Sequence, residues 1–132
     1  MKTGRHLAGA AATAALLTGA LTVAPAAQAD AGTAASCYGS AINYSKPEGD
    51  VDLPAGRLFV TSGNCADINI KPRTNRYIMV CLETASGGSS CPSAYTLAEG
   101  GVWNVLRSNV PDGTQFYFRF RSAALSNGSW AA

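Results

Sequence analysis

The chain has 132 residues, with 10 lysines and arginines against 8 aspartates and glutamates and a formal net charge of +2. This length suits one domain, and so small a charge gives no global field that would draw the protein to nucleic acid or to an anionic membrane. The single histidine, His6, lies in the leader discussed next. The rest of the chain therefore cannot use mechanisms that need imidazole, such as Ser-His-Asp catalysis or His-ligated zinc.

Residues 1–29 have the three parts of a secretory signal peptide. The start is basic, the segment 7–23 is an apolar run rich in Ala and Leu, and Ala27-Gln28-Ala29 is a small-x-small end. The apolar run is short for a bilayer core of about 30 Å, which makes a membrane anchor the weaker alternative. We expect cleavage before Asp30, an extracellular, secreted protein, and no membrane association afterwards.

All four cysteines, Cys37, Cys65, Cys81 and Cys91, follow this leader. An exported chain meets an oxidising environment, so two disulfides are the default. The lack of a Cys-x-x-Cys pair removes the thioredoxin motif and the usual zinc knuckles, and we expect no metal and no other cofactor. Three pairings are possible. We favour Cys37 with Cys65 and Cys81 with Cys91, because the second pair flanks a glycine-rich turn that would bring its residues onto neighbouring strands.

Beyond residue 36, apolar positions recur with a period of two, and turn residues interrupt them about every 8 to 12 positions. This rhythm predicts an all-β protein. The predicted strands cover residues 38–44, 57–62, 65–71, 76–83, 91–97, 102–108 and 114–121. About seven strands in this length predict a small disulfide-linked antiparallel β-sandwich, with a small closed β-barrel as the alternative.

The domain organisation follows from these elements. Residues 30–36 are rich in Ala, Gly and Thr and predict a flexible arm before a β domain over 37–122. Residues 123–132 hold turn formers and a lone tryptophan, Trp130. They predict a loose C-terminal tail unless Trp130 packs back onto the domain.

Two predicted strands indicate how the sheets pack. In 76–83 both alternate sets of residues are apolar, as expected of a strand that is covered on both faces or crosses between layers. In 114–121 the two sets separate cleanly. The set predicted for the core is Phe116, Phe118 and Phe120. The set that would face water or a partner is Tyr117, Arg119 and Arg121.

Tyr117, Arg119 and Arg121 are the first candidate binding surface, and we call them the strip. Guanidinium groups beside a phenol would bind an acidic glycan, a phosphorylated cell-wall polymer or an acidic patch on a protein. Cations also outnumber anions after residue 70. The simpler alternative is a solvated strand face whose charges deter edge-to-edge aggregation.

Two further segments suit recognition by another protein. Residues 83–95 are rich in Gly and Ser and are tethered by Cys81 and Cys91, and a loop fixed in this way loses little entropy on binding. Arg73, in a Pro-Arg-Thr-Asn turn, would offer its side chain to a trypsin-like specificity pocket. For each segment a plain hairpin turn is the simpler interpretation, and the one that we favour.

Catalytic and metal-binding patterns are weak. Glu48, Asp50 and Asp52 alternate in one loop, but the EF-hand pattern fails at its glycine position, so we expect a solvated turn. No carboxylate pair or nucleophile lies in a recognisable catalytic motif, which favours a protein that is not an enzyme. Two triplets match the N-glycosylation pattern, which matters only in a eukaryotic secretory route: Asn43-Tyr44-Ser45 and Asn127-Gly128-Ser129.

Three segments carry a resemblance: RYIMVC at 76–81, GVWNV at 101–105, and DGT at 112–114 before an aromatic strand. With the Ala-rich leader and the four-cysteine layout, they resemble the small exported β-proteins of actinobacteria such as Streptomyces. The resemblance covers most of the mature chain and implies secretion, two disulfides and a β-fold. That group has no agreed biochemical activity.

A weaker resemblance is to the subtilisin-inhibitor proteins of the same bacteria. It is carried by CPSAY at 91–95 with GVW at 101–103. The last two cysteines are too close together for that family and no helix is evident, so no reactive-site residue is carried over.

Taken together, these features predict a secreted, monomeric, non-enzymatic protein that acts through its surface. Its partner would be a cell-envelope polymer or another secreted protein, and an envelope polymer would bind through the strip. The alternative is a secreted proteinase inhibitor that would use the disulfide-tethered loop 83–95 or Arg73.

Overall fold

The computed structural model describes residues 36–132. The predicted signal peptide (1–29) and all but the last residue of the predicted arm (30–36) lie outside this range. The described chain forms ten β-strands and a helical turn at 36–39. The strands are β1 (Ile42–Lys46), β2 (Asp52–Leu53), β3 (Phe59–Val60), β4 (Ile68–Pro72), β5 (Arg76–Glu83), β6 (Ser89–Ser90), β7 (Thr96–Ala98), β8 (Asn104–Arg107), β9 (Gln115–Phe120) and β10 (Ser126–Ala131).

The strands form two antiparallel sheets that enclose one core. The four-stranded sheet has the order β1-β10-β4-β8. In the six-stranded sheet, β9 and β5 are central, β2 and β3 share the outer edge of β9, and β6 and β7 share the outer edge of β5. Both sheets are open, so the predicted antiparallel β-sandwich is confirmed and the closed barrel is not formed. No helix within residues 36–132 is long and apolar enough to cross a membrane.

The predicted and observed strand boundaries agree best where the apolar pattern in the sequence is longest. The prediction for 76–83 coincides with β5, which is covered on both faces: Ile78 and Val80 face the core, and Met79 and Cys81 are buried on the other side. The prediction for 38–44 begins too early, because 36–39 is a helical turn and the strand starts at Ile42. β2 and β6 have two residues each, which is too short to show the alternation of apolar and polar residues that predicts a strand.

The core between the sheets is rich in aromatic rings. The inward residues of β9 are buried as predicted: Phe116, Phe118 and Phe120. Trp130 enters from the opposite sheet and stacks on Phe59, with 4.2 Å between ring centroids. It also meets Phe116 edge to face at 5.7 Å. Such contacts add to the stability that burial of these large rings already provides.

The predicted loose tail over 123–132 is wrong. Residues Ser126–Ala131 form β10, which lies between β1 and β4 and pairs with both. Trp130 packs into the core and is only 6% exposed. The β domain therefore extends past its predicted end at residue 122. The burial of one indole outweighs the preference of the neighbouring Ser, Asn and Gly residues for a turn.

Lys46 is fully buried although it carries a charge. Its Nζ donates hydrogen bonds to three backbone carbonyl oxygens, those of Pro47, Asp50 and Ala124. The ammonium also lies 5.2 Å from the ring centroid of Phe120. Burial lowers the pKa of Lys46, and the nearby charge of Asp50 opposes that shift. This side chain therefore joins the turn after β1 to the loop before β10.

Both disulfides pair as predicted. Cys37–Cys65 joins the helical turn to the segment before β4, and Cys81–Cys91 joins β5 to the segment between β6 and β7. The first bridge packs with Ala131 and the partly buried Trp103 in a small cluster outside the main core. It therefore helps to hold the indole of Trp103 on the outer face of the four-stranded sheet.

Gly128 permits the close approach of β10 to β4. A Cβ at this position would overlap the carbonyl oxygen of Lys71 and would lie 2.8 Å from the Cα of Pro72, and both are backbone atoms. We expect Gly128→Ala to lower the free energy of unfolding by about 2 to 3 kcal/mol, because the two strands must separate. Urea denaturation measures this loss. Gly39→Ala is the control, since nothing lies within 4 Å of its added Cβ; equal losses in both variants would contradict the explanation.

Candidate functional site

The strip lies on the outer face of the six-stranded sheet, because its residues alternate along β9 with the buried phenylalanines. Tyr117 and Arg119 are half-buried and Arg121 is exposed. The guanidinium carbon of Arg119 lies 5.4 Å from the ring centroid of Tyr117. The structure thus brings the three predicted residues together on one surface.

Both arginines of the strip already have partners. Arg119 makes a two-pronged ion pair with Asp52 of β2, with Nε 2.8 Å from Oδ1 and a terminal nitrogen 3.2 Å from Oδ2. These hydrogen bonds raise the pKa of Arg119. The guanidinium carbon of Arg121 lies 3.7 Å from the ring centroid of Tyr77. A ligand anion would compete with Asp52 for Arg119, which leaves Arg121 as the more available cation of the strip.

Arg73 lies apart from the strip, in the short turn that leads from β4 in one sheet to β5 in the other. Its backbone N–H donates to the carbonyl of Asn127 at 2.9 Å. Arg73 lines an open groove of about 580 Å³ over the four-stranded sheet. The other polar and aromatic residues along this groove include Asn43, Ser45, Lys71, Trp103, Asn127 and Ser129.

The floor of the groove is a set of amide and hydroxyl side chains on β1 and β10, which we call the ladder. In the antiparallel register Asn43 lies opposite Ser129, and Ser45 lies opposite Asn127. These residues face outward because Tyr44, between them on β1, belongs to the core. The hydroxyl of Ser129 donates to Oδ1 of Asn43 at 2.9 Å. The ladder therefore presents both donors and acceptors to a ligand.

An aromatic ring and a cation form one wall of the groove. The ring of Trp103 stacks on Tyr38, with centroids 4.6 Å apart and an interplanar angle of 8°. The Nζ of Lys71 lies 6.0 Å from the Trp103 ring centroid. Tyr38 belongs to the helical turn that the Cys37–Cys65 bridge fixes. The disulfide thus supports the aromatic wall through the residue next to Cys37.

The groove carries positive charge. Lys71 and Arg73 line it, and neither aspartate nor glutamate is among its lining residues. Within residues 36–132 the one ion pair is that of Arg119 with Asp52, at the other sheet. The two cations of the groove are therefore not neutralised by a neighbouring carboxylate.

The predicted recognition segments are held in turns. In the loop 83–95, the backbone N–H of Thr84 donates to the carbonyl of Gly88 at 2.7 Å, and that of Gly87 donates back to Thr84 at 2.9 Å. The Arg73 turn lies close against Gly100, where a Cβ would come within 2.8 Å of the Arg73 carbonyl oxygen. Neither segment presents a long extended stretch that could lie along another protein.

Within residues 36–132, no group of three or more His, Cys, Asp or Glu side chains is arranged to hold a metal ion. Asp52 of the predicted acidic loop lines a second pocket, of about 260 Å³, with Glu83 and Tyr117. Asp52 accepts two hydrogen bonds from Arg119, so its carboxylate is already paired with that arginine.

Comparison with known proteins finds no relative of this chain. No family model, curated protein or solved structure matches the chain significantly. The resemblance to exported actinobacterial proteins therefore stays a prediction, and the site is interpreted from its own geometry.

Most of the groove was missed by the sequence analysis, which proposed only Arg73 among its lining residues as a binding residue. The two Asn-x-Ser triplets were a usable signal, but they were interpreted only as glycosylation patterns. Their meaning depends on the register of β1 with β10, which sets the two triplets side by side. Trp103 was noticed only within a resemblance, because its place at the groove depends on Tyr38 and the first disulfide.

Proposed function

We propose that the protein is a secreted, non-enzymatic binding protein whose groove holds a glycan or polyol chain of a cell envelope. The observation that carries the proposal is the ladder beside the Trp103 ring. It supplies hydrogen-bonding groups and an aromatic surface at one place, on a rigid sheet. A small number of convergent polar groups beside an apolar surface is typical of ligand sites.

The chemistry of the ladder matches that of a polyhydroxylated ligand. Hydroxyl groups of a sugar or polyol both donate and accept hydrogen bonds, and the Asn and Ser side chains do the same. The negative face of an indole attracts the weakly positive C–H groups on the apolar side of a sugar ring. An open groove also lets a long chain continue beyond the site, which a closed cavity would prevent.

The groove is also pre-organised. β1 and β10 are joined by backbone hydrogen bonds, Ser129 holds Asn43, and Tyr38 holds Trp103. Side chains that are already ordered lose little conformational entropy when a ligand binds. The strip supports the same general function less well, because Asp52 occupies Arg119.

Trp103→Ala is expected to weaken binding to insoluble bacterial cell-wall material by at least about tenfold, because it removes the aromatic surface of the groove. Co-sedimentation of the purified secreted protein with that material measures the effect. Asn43→Ala combined with Ser129→Ala gives a second test that leaves the Trp103 cluster intact. Circular dichroism confirms that each variant is folded.

Arg121→Ala is the matched control for the other sheet, since it removes the more available cation of the strip and leaves the Arg119–Asp52 pair in place. We expect it to sediment as the unaltered protein does. Loss of sedimentation in Arg121→Ala, with none in the two groove variants, would move the site to the strip and overturn the proposal.

A further inference from the structure

We infer that the chain held in the groove is polyanionic, so that its natural ligand is a glycan or polyol that carries phosphate or carboxylate groups. This inference rests on the proposed function and names the ligand class for the same site. It is carried by Lys71 and Arg73, which line the groove together with no carboxylate among its lining residues.

The positions of the two cations are set by the sheet. Lys71 lies in β4 opposite Ser129 of β10. Arg73 is two residues further on, and its backbone N–H is bound to the carbonyl of Asn127. Lys71 lies within β4 and Arg73 lies in the turn that follows, and the two residues line the same groove. Two long side chains at these positions can converge on one anionic group or contact two successive groups along a chain.

Two smaller pockets beside the six-stranded sheet differ from the groove in the charged residues that line them. One, of about 260 Å³, places Arg57 together with Asp52 and Glu83. The other, of about 230 Å³, contains Asp50 and Asp52 and no cation. In the first pocket carboxylates can neutralise the cation, whereas in the groove Lys71 and Arg73 have no such neighbour.

An unneutralised pair of this kind favours an anionic ligand. Arg73 can donate two parallel hydrogen bonds to a phosphate or carboxylate, and Lys71 supplies a compact point charge. A neutral glycan would leave both charges without a counter-ion and would gain only the contacts of the ladder and Trp103. The ladder therefore recognises hydroxyl groups, and the two cations discriminate charged chains from neutral ones.

The test compares three soluble polymers against the full chain by biolayer interferometry. The probes are neutral dextran, polygalacturonate for carboxylate, and poly(glycerol phosphate) for phosphate. We expect at least one anionic polymer to bind about tenfold or more tightly than dextran. We also expect this preference to weaken as salt is raised, because the ion pairs are screened. The anionic polymer that binds more tightly identifies the charged group.

The decisive variant is Lys71→Gln combined with Arg73→Gln, which should reduce the affinity for the anionic polymer to that for dextran. Arg57→Gln combined with Arg121→Gln makes the same change in net charge at the other sheet and should keep the preference. Equal binding of all three polymers, or a preference that the Lys71 and Arg73 double variant retains, would overturn the inference. Failure of the proposed function would differ, because Trp103→Ala would then sediment with cell-wall material as the unaltered protein does.

Discussion

Deletion of residues 123–132 is expected to leave a chain that does not reach the native fold. The deletion removes β10, the sole strand that pairs with β1 and one of the two that pair with β4 within the described chain. It also removes Trp130, whose ring stacks on Phe59 and packs against Phe116. The core then loses its only indole, and the four-stranded sheet loses an inner strand. Large apolar surfaces are exposed to water as a result.

Near-ultraviolet circular dichroism and thermal unfolding test this prediction. The truncated chain should lack the aromatic signal and show no cooperative transition. Trp130→Ala isolates the part that the side chain plays, with an expected loss of about 3 to 5 kcal/mol, against a total stability of about 5 to 15 kcal/mol for a small domain. Trp130→Phe keeps an aromatic ring and should cost clearly less. A truncated chain that unfolds cooperatively would mean that β10 is dispensable.

Lys46→Met is expected to destabilise the protein by about 3 to 5 kcal/mol, although methionine is nearly as large and far less polar. The replacement removes the buried donor that serves three backbone carbonyl oxygens in part-buried hydrogen bonds. It also removes the cation that lies near the face of Phe120. The loss corresponds to a fall in melting temperature of at least about 10 °C in a domain of this size.

Lys71→Met provides the matched control for Lys46→Met. Both variants replace a lysine of the four-stranded sheet with methionine. Lys46 is buried, whereas Lys71 lines an open groove. Its replacement should alter the melting temperature by no more than a few degrees, corresponding to about 0.5 kcal/mol. If Lys46→Met proved as stable as the unaltered protein, the cost of burying the ammonium would equal the benefit of its hydrogen bonds.

The sequence predicted the sandwich because its two central strands carry long patterns. β5 is apolar on both faces, and β9 alternates phenylalanine with polar residues over its full length. The disulfide pairing could also be predicted, since the glycine-rich turn after β5 indicates that Cys81 and Cys91 lie close together. These features depend on residues that are close together in the chain.

The groove could not be predicted in the same way. Its ladder requires the register between β1 and β10, and its cations come from β4 and the turn that follows. The segment SNGSWA of β10 has the composition of a turn, and only the tertiary contacts of Gly128 and Trp130 make it a strand. The burial of Lys46 could not be predicted either, because lysine is seldom buried unless it has partners. Its partners are backbone carbonyls, which a sequence does not reveal.

The place of β10 also determines when the protein can fold. It is the last strand in chain order, yet it fills the centre of its sheet, and its Ser129 bonds to a residue 86 positions earlier. A chain that stops short of β10 offers β1 no neighbour among the described strands, so the four-stranded sheet assembles only after residues 126–131 have been synthesised. Pairings over such distances close large loops and slow the search for the native state. For the exported protein that we propose, we expect this delay to favour passage of the chain across a membrane before it folds.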